Sequence, residues 1–171
     1  METLAQELNH QTYLSVSVMA LRLCVALFCG AVIGFEREWH DHAAGFRTHI
    51  LICLAAAVVA IAAIEMTHLN TFETDQTRID PLRLIEALTS GVAFLAAGTI
   101  VFARGEVRGL TTGAGMWLAG VTGLASGLGF WQLAFLATLM AMAVLWLLRM
   151  VERAMRLRDG KQAGRREDEK P

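Results

Sequence analysis

Apolar residues run along this chain in long stretches separated by short polar breaks. Five stretches are each long enough to cross a bilayer, at about 14–35, 48–66, 82–103, 110–128 and 131–148. A helix needs roughly 20 predominantly apolar residues to span the hydrocarbon core. The pattern therefore predicts an all-α, polytopic helical membrane protein with about five transmembrane helices, flanked by an amino-terminal segment 1–13 and a basic tail 149–171. Asp80-Pro81 predicts a helix start, because Asp caps free N–H groups and Pro at the first helical position has no N–H to satisfy. Gly127-Leu128-Gly129-Phe130 leaves room only for a tight turn, so the fourth and fifth spans form an antiparallel hairpin. The polar linker 67–79 is the longest of the expected outside loops, and the fifth helix is expected to continue past Arg149 and stop near Asp159-Gly160.

Composition agrees, since 55% of residues are hydrophobic and 18% charged, with a mean hydropathy of +0.47, too apolar for an ordinary soluble domain of this size. The first 13 residues carry Glu2 and Glu7 but no Lys or Arg, unlike the basic start of a secretory signal, so the first span is expected to persist as a helix. The basic residues fix an orientation through the positive-inside rule. With five spans and the amino terminus outside, the cytoplasmic segments hold Arg37, Arg47, Arg104, Arg108 and the basic residues from Arg149 to Lys170, while Arg78 and Arg83 stay outside. That tail reads as a topological anchor, with contact to anionic lipid as the second reading. Cys24, Cys29 and Cys53 fall inside spans without a CxxC pair and read as packing residues.

Lipid removes the hydrophobic drive between helices, so small residues must supply close packing. Ala26, Gly30 and Gly34 recur every fourth position in the first span, as do Gly115, Ala119, Gly123 and Gly127 in the fourth. Gly91 and Gly98 are further packing candidates in the third. The fourth-span strip faces either a neighbour in the same chain or, on a sharper reading, a second copy across a homodimer seam.

Ionisable groups inside a span carry a functional hypothesis by default. Arg22 and Glu86 each lie roughly 8–9 Å along their helices from the same membrane surface, which predicts an intramembrane ion pair, the alternative being Arg83 beside Glu86 with Arg22 extended outward. A second group gathers on the opposite face: Glu36, Arg37 and Glu38 leave the first span, Gly45, Arg47 and Thr48 enter the second, and Arg108, Gly109, Thr111 and Thr112 enter the fourth. Helix starts there attract anions or carboxylates. One reading pairs Glu36 or Glu38 with Arg47 or Arg108 to lock the loops; the other makes the cluster a docking or ligand site.

His40, Asp41, His42 and His49 near Glu36 and Glu38 match no zinc spacing, and no metal or cofactor is assigned. There is no P-loop, zincin motif or nucleophile elbow, so no enzyme activity is expected. A divalent-cation transporter calls for several midplane carboxylates or broken helices, and only Glu86 lies well inside a span. Gly45-Phe46-Arg47-Thr48 and Arg108-Gly109-Leu110-Thr111 follow corresponding spans, a faint parallel internal echo.

Four ordered motifs point further: Gly30-x-x-x-Gly34-x-Glu36-Arg37-Glu38, then Ala44-Gly45-Phe46-Arg47-Thr48-His49, then the run 90–100 beginning Ser90-Gly91-Val92, then Val107-Arg108-Gly109-Leu110-Thr111-Thr112. Together they resemble the membrane domain of the MgtC/SapB family of bacterial inner-membrane proteins, over about 14–148. The resemblance implies a small non-enzymatic protein of the inner membrane, tied to growth at low magnesium and to survival inside host phagocytes. The proposed action there is restraint of a membrane partner, the proton-translocating ATP synthase. A cation (Mg²⁺) or small-solute transporter is the alternative. Longer members add a soluble carboxyl-terminal domain resembling an ACT fold, which is not carried over; Ala97 and Glu86 also depart from the family pattern.

Overall fold

The computed structural model describes residues 12–40, 42–68, 80–103 and 105–168, with the side chains of 81, 103 and 151–168 outside that description. Among the described residues five helices follow in order: α1 Val16–Glu38, α2 Phe46–Thr67, α3 Pro81–Gly98, α4 Leu110–Gly127 and α5 Trp131–Asp168. Between α3 and α4 lies a two-stranded antiparallel hairpin, β1 Val101–Ala103 and β2 Glu106–Arg108, in which Phe102 faces Val107. Among the described residues, three helices are long and apolar enough to cross a membrane: Val16–Glu38, Phe46–Thr67 and Trp131–Met150. The other two have 18 residues each; α3 carries Arg83 and Glu86, and α4 is diluted in hydropathy by glycine and threonine.

The third span is shorter than its hydropathy suggested. It ends at Gly98, and the apolar residues from Ile100 to Ala103 enter the hairpin instead, where Val101 pairs with Arg108. Gly105 and Gly109, both at positive φ, permit the two reversals of chain direction. At its start α3 behaves as expected: the Asp80 carboxylate accepts the Leu82 N–H at 3.0 Å and Pro81 opens the helix. α5 runs on to Asp168 without stopping at Asp159-Gly160. Of the expected outside loop 67–79, Thr67 still belongs to α2 and His68 caps it, and 69–79 lies outside the described residues.

Helix direction follows from which residues approach. A Cβ on Gly34 would stand 2.8 Å from the Phe46 Cα, and one on Gly30 would stand 2.9 Å from the Cys53 Cβ, so α1 and α2 are antiparallel. Going along α2, His49 meets Gly115, Cys53 meets Ala119 and Gly123, and Ala57 meets Gly127, so α2 and α4 run parallel. Val92 against Gly120 and Ala96 against Gly113 make α3 antiparallel to α4. Phe28 against Phe135 sets the start of α5 alongside α1. The carboxyl ends of α1 and α3 and the amino ends of α2 and α4 thus share one end of the bundle.

The strip Gly115, Ala119, Gly123 and Gly127 is covered by α2 of the same chain. A Cβ on Gly123 would collide with the Cys53 carbonyl, and one on Gly127 would lie 2.7 Å from both the Ala57 Cα and the Ala60 Cβ. One turn earlier on α4 the Cys53 thiol donates to the Ala119 carbonyl at 3.0 Å. That strip therefore offers no seam to a second copy. Around it the core is mostly alanine, with Ala56, Ala57, Ala60 and Ala119 at 1% exposure or less. Large apolar side chains such as Leu21, Phe28, Phe94 and Leu133 point outward, as lipid-facing residues do. Cys24, Cys29 and Cys53 are free thiols.

Gly91 and Gly98, expected to pack, face open space, with no atom within 4 Å of where a Cβ would stand. This separates two kinds of glycine. Gly123→Ala forces a methyl into α2 backbone and should cost at least about 2 kcal/mol by analogy with overpacked cores. Gly91→Ala should be neutral or stabilise by roughly 0.5–1 kcal/mol through reduced chain entropy. Thermal unfolding of the two variants in one detergent checks this; equal effects would contradict the packing described.

Candidate functional site

At the shared end of the bundle the chain buries charge. Glu36 and Arg37 close α1 at 5% exposure each, and His49, on the first turn of α2, is fully buried. Arg37 Nε lies 3.2 Å from Glu36 Oε2. Two glycines make room for the group: Gly34 lets His49 approach α1, and a Cβ on Gly115 would stand 3.2 Å from His49 Nε2 and 3.6 Å from Arg37 Nε. Thr112, buried one turn before Gly115, continues that face of α4.

The tautomer of His49 follows from its partner. Nδ1 lies 2.9 Å from the Gly45 carbonyl, which can only accept, so Nδ1 carries the proton. Nε2 is then left as a buried acceptor with no hydrogen-bond partner among the described residues. A fully buried polar atom without a partner is uncommon and marks a site able to accept a hydrogen bond.

Around this core the loops are pinned locally. Glu38 does not reach Arg47 or Arg108; its Oε2 accepts the Phe46 N–H at 2.9 Å and caps α2. A carboxylate is favoured there by the exposed N–H groups and the helix dipole. A Cβ on Gly45 would collide with the Glu38 carboxylate, so a side chain there would displace this cap. His40 Nδ1 donates to the Glu36 carbonyl at 2.8 Å and His42 Nδ1 to the His40 carbonyl at 3.1 Å, so both imidazoles serve the turn. Among the described residues no three His, Cys, Asp or Glu side chains gather to hold a metal ion; Asp41 lies outside them.

The predicted residues therefore divide. Glu36, Arg37 and Thr112 are buried at one end of the bundle, while Glu38 and Gly45 build the adjoining turn. Arg47 and Thr111 are exposed and Thr48 is half-buried. Arg108 pairs loosely with Glu106 at 3.6 Å, both well exposed, rather than with a glutamate of α1. Gly109 packs its Cα beneath the Thr99 carbonyl. Arg22 and Glu86 do not pair: Arg22 Nη1 donates to the Gly127 carbonyl at 2.8 Å, and Glu86 is exposed on α3. The ion pairs among the described residues do not join Arg83 to Glu86 either. His49 is the residue that sequence reasoning underweights. An imidazole inside an apolar run, four residues after a glycine, is the available signal.

A bundle of apolar helices with outward-facing large hydrophobics and a buried charged end defines a helical membrane protein. The chain matches the MgtC family over residues 23–154 and belongs to that family. It is 36% identical over 129 residues to "Protein MgtC" of Salmonella typhimurium (strain 14028s), covering 75% of this chain and 52% of that protein. It is 32% identical over 123 residues to "Putative magnesium transporter YhiD" of Escherichia coli (strain K12), covering 72% and 56%. An uncharacterized Haemophilus influenzae protein is 33% identical over 133 residues, covering 77% and 56%. The chain thus spans about half the length of the curated relatives it matches. No solved structure matches.

Burying Glu36 and Arg37 makes them interdependent. Glu36→Gln or Arg37→Gln alone should lower stability by about 3–5 kcal/mol, because a desolvated charge loses its neighbour. The double substitution should recover part of that loss. Monodisperse yield after solubilisation, with thermal unfolding, measures it; a double variant as poor as the worse single one would show that the pair is not coupled.

Proposed function

We propose that this chain is a non-enzymatic protein of the bacterial inner membrane that regulates another membrane component, such as the proton-translocating ATP synthase, in adaptation to low magnesium or host stress. Its amino terminus lies outside and its buried charged end faces the cytoplasm. The observation that carries this reading is the hairpin at that end. Val101, Phe102, Val107 and Leu110 are all more than half exposed there, on a segment held in place by the Gly109 turn. An apolar tip on a fixed mount is suited to docking against a second membrane protein, and the charged cluster behind it is suited to holding the mount rigid. The name of one relative, a putative magnesium transporter, supports a link to magnesium.

A relative's name favours a second reading, transport of a cation. The buried Glu36 carboxylate would be its natural ligand, but the Arg37 guanidinium beside it opposes a divalent cation at that place.

ATP-driven proton pumping in inverted membrane vesicles separates the two. The wild-type protein should slow acidification. Phe102→Asp and Arg47→Ala, at matched expression, should each relieve most of that slowing. Unchanged pumping in all three would overturn the regulator reading for this partner, and Mg²⁺ uptake into proteoliposomes holding the purified wild-type protein alone would establish the transporter.

A further inference from the structure

At the opposite end of the bundle, away from the hairpin and the buried cluster, a groove of about 490 Å³ runs between α1, the last turn of α4 and the first turn of α5. Its walls are Val18, Leu21, Val25, Trp131 and Phe135, and its one charged side chain is Arg22. Arg22 lies six residues into α1, about 9 Å along the helix axis. One of its five N–H donors is engaged by the Gly127 carbonyl at the end of α4. The guanidinium rests against the turn that follows, where a Cβ on Gly129 would stand 2.8 Å from Nη2.

The charge of Arg22 has no counter-ion among the described residues. Glu65, an acidic side chain at the end of α2 on this side of the bundle, is committed elsewhere: its two oxygens accept the Tyr13 and Leu14 N–H groups, each at 2.8 Å. The carboxyl end of α4 supplies a partial negative charge, equivalent to roughly half an elementary charge, which leaves the guanidinium only partly compensated. A cation so placed in an apolar groove of a membrane protein calls for an anion.

The surroundings select the anion's form. Tyr13, Phe130 and Trp131 are all more than half exposed at this end, the position of aromatic side chains at a membrane–water interface. Arg22 therefore sits at or just below headgroup level, and apolar wall extends from it toward Val25 and Phe135. A ligand with an anionic head at that depth and a hydrocarbon chain below it matches both features. We infer that this groove is a binding site for one anionic phospholipid, its phosphate on the free N–H donors of Arg22 and an acyl chain along Val25 and Phe135, with Val18 at the mouth beside the headgroup. Guanidinium matches phosphate through paired, charge-assisted hydrogen bonds, and basic pockets between membrane helices hold lipid headgroups in the same way.

The test uses the full chain purified in an uncharged detergent, with thermal unfolding followed as phosphatidylglycerol, phosphatidylcholine of the same chains, or inorganic phosphate is added. Phosphatidylglycerol should protect saturably, with half-effect at a concentration at least about ten-fold lower than phosphatidylcholine, the change expected from one charge-assisted contact. Arg22→Gln should abolish that preference, and Arg22→Lys should keep part of it. Val18→Trp, which obstructs the mouth of the groove beside the headgroup and leaves the charge in place, should weaken protection by phosphatidylglycerol about ten-fold and carries the test if Arg22→Gln does not fold. Equal protection by the two lipids, or a preference that survives Arg22→Gln or Val18→Trp, overturns the proposal. So does protection by inorganic phosphate alone, which would make the site a simple anion site. Native mass spectrometry closes the remaining route: a dimer without bound lipid that Val18→Trp converts to monomer would make a second copy the occupant.

Discussion

The whole arrangement depends on how closely the backbones of α2 and α4 approach. Lipid surrounds apolar side chains as favourably as another helix does, so two helices stay together through contact and hydrogen bonding. Here Gly123 and Gly127 remove every side-chain atom between the α4 backbone and the carbonyls of Cys53 and Ala57. The Cys53 thiol then reaches the Ala119 carbonyl. Because α2 and α4 run parallel at this distance, their amino ends are brought level, and the segments entering them are gathered at one end. The loop from α1 and the hairpin from α3 inherit their positions from that contact.

The same approach makes burial of charge possible. Gly115, further along the strip toward the amino end of α4, leaves the space into which His49 and Arg37 project, and Gly34 lets His49 sit against α1. With larger residues at those positions, Arg37 would be pushed outward and the Glu36–Arg37 pair would sit in a more polar setting. Burial also explains the division of labour at this end. The charged groups lie inside, against one another and against α4, so the outer loop is held by a separate device, the Glu38 cap on α2. What this end presents outward is the surface of the hairpin and the exposed residues beside it. At the far end Arg22 closes the last turn of α4, so both ends of the central helix are tied by residues of α1 or its neighbours.

Much of this was legible in the chain. Hydropathy showed the helical membrane architecture, Asp80-Pro81 marked the start of α3, and the four-residue spacing of small residues marked the contact face of α4. Periodicity could not say which neighbour covers that face; the partner became visible only when Cys53 and Ala57 were found upon it. The same gap explains why Gly91 and Gly98 do not pack as expected, since a glycine looks alike in sequence whether it is packed or open. Window hydropathy also overran the end of α3, because Val101, Phe102 and Ala103 are as apolar in a strand as in a helix. The Arg22–Glu86 pairing failed for a related reason. Equal depth along two helices says nothing of their rotation, and Arg22 turns toward the Gly127 carbonyl while Glu86 turns outward. Of the cluster, residue types and order were readable; which members are buried was set by glycines on other helices.

Parallel, close packing of α2 on α4 is the claim on which these conclusions rest, and it is measurable in lipid. With the three native cysteines replaced, spin labels at exposed positions Phe46 and Leu110 mark the amino ends of the two helices, and labels at Phe46 and Phe130 span to the far end of α4. An 18-residue helix is about 27 Å long, so the 46–110 distance should be much the shorter of the two by electron–electron double resonance. A 46–130 distance equal to or shorter than 46–110 would mean that the helices do not run in parallel, and the description of the buried cluster would fall with it.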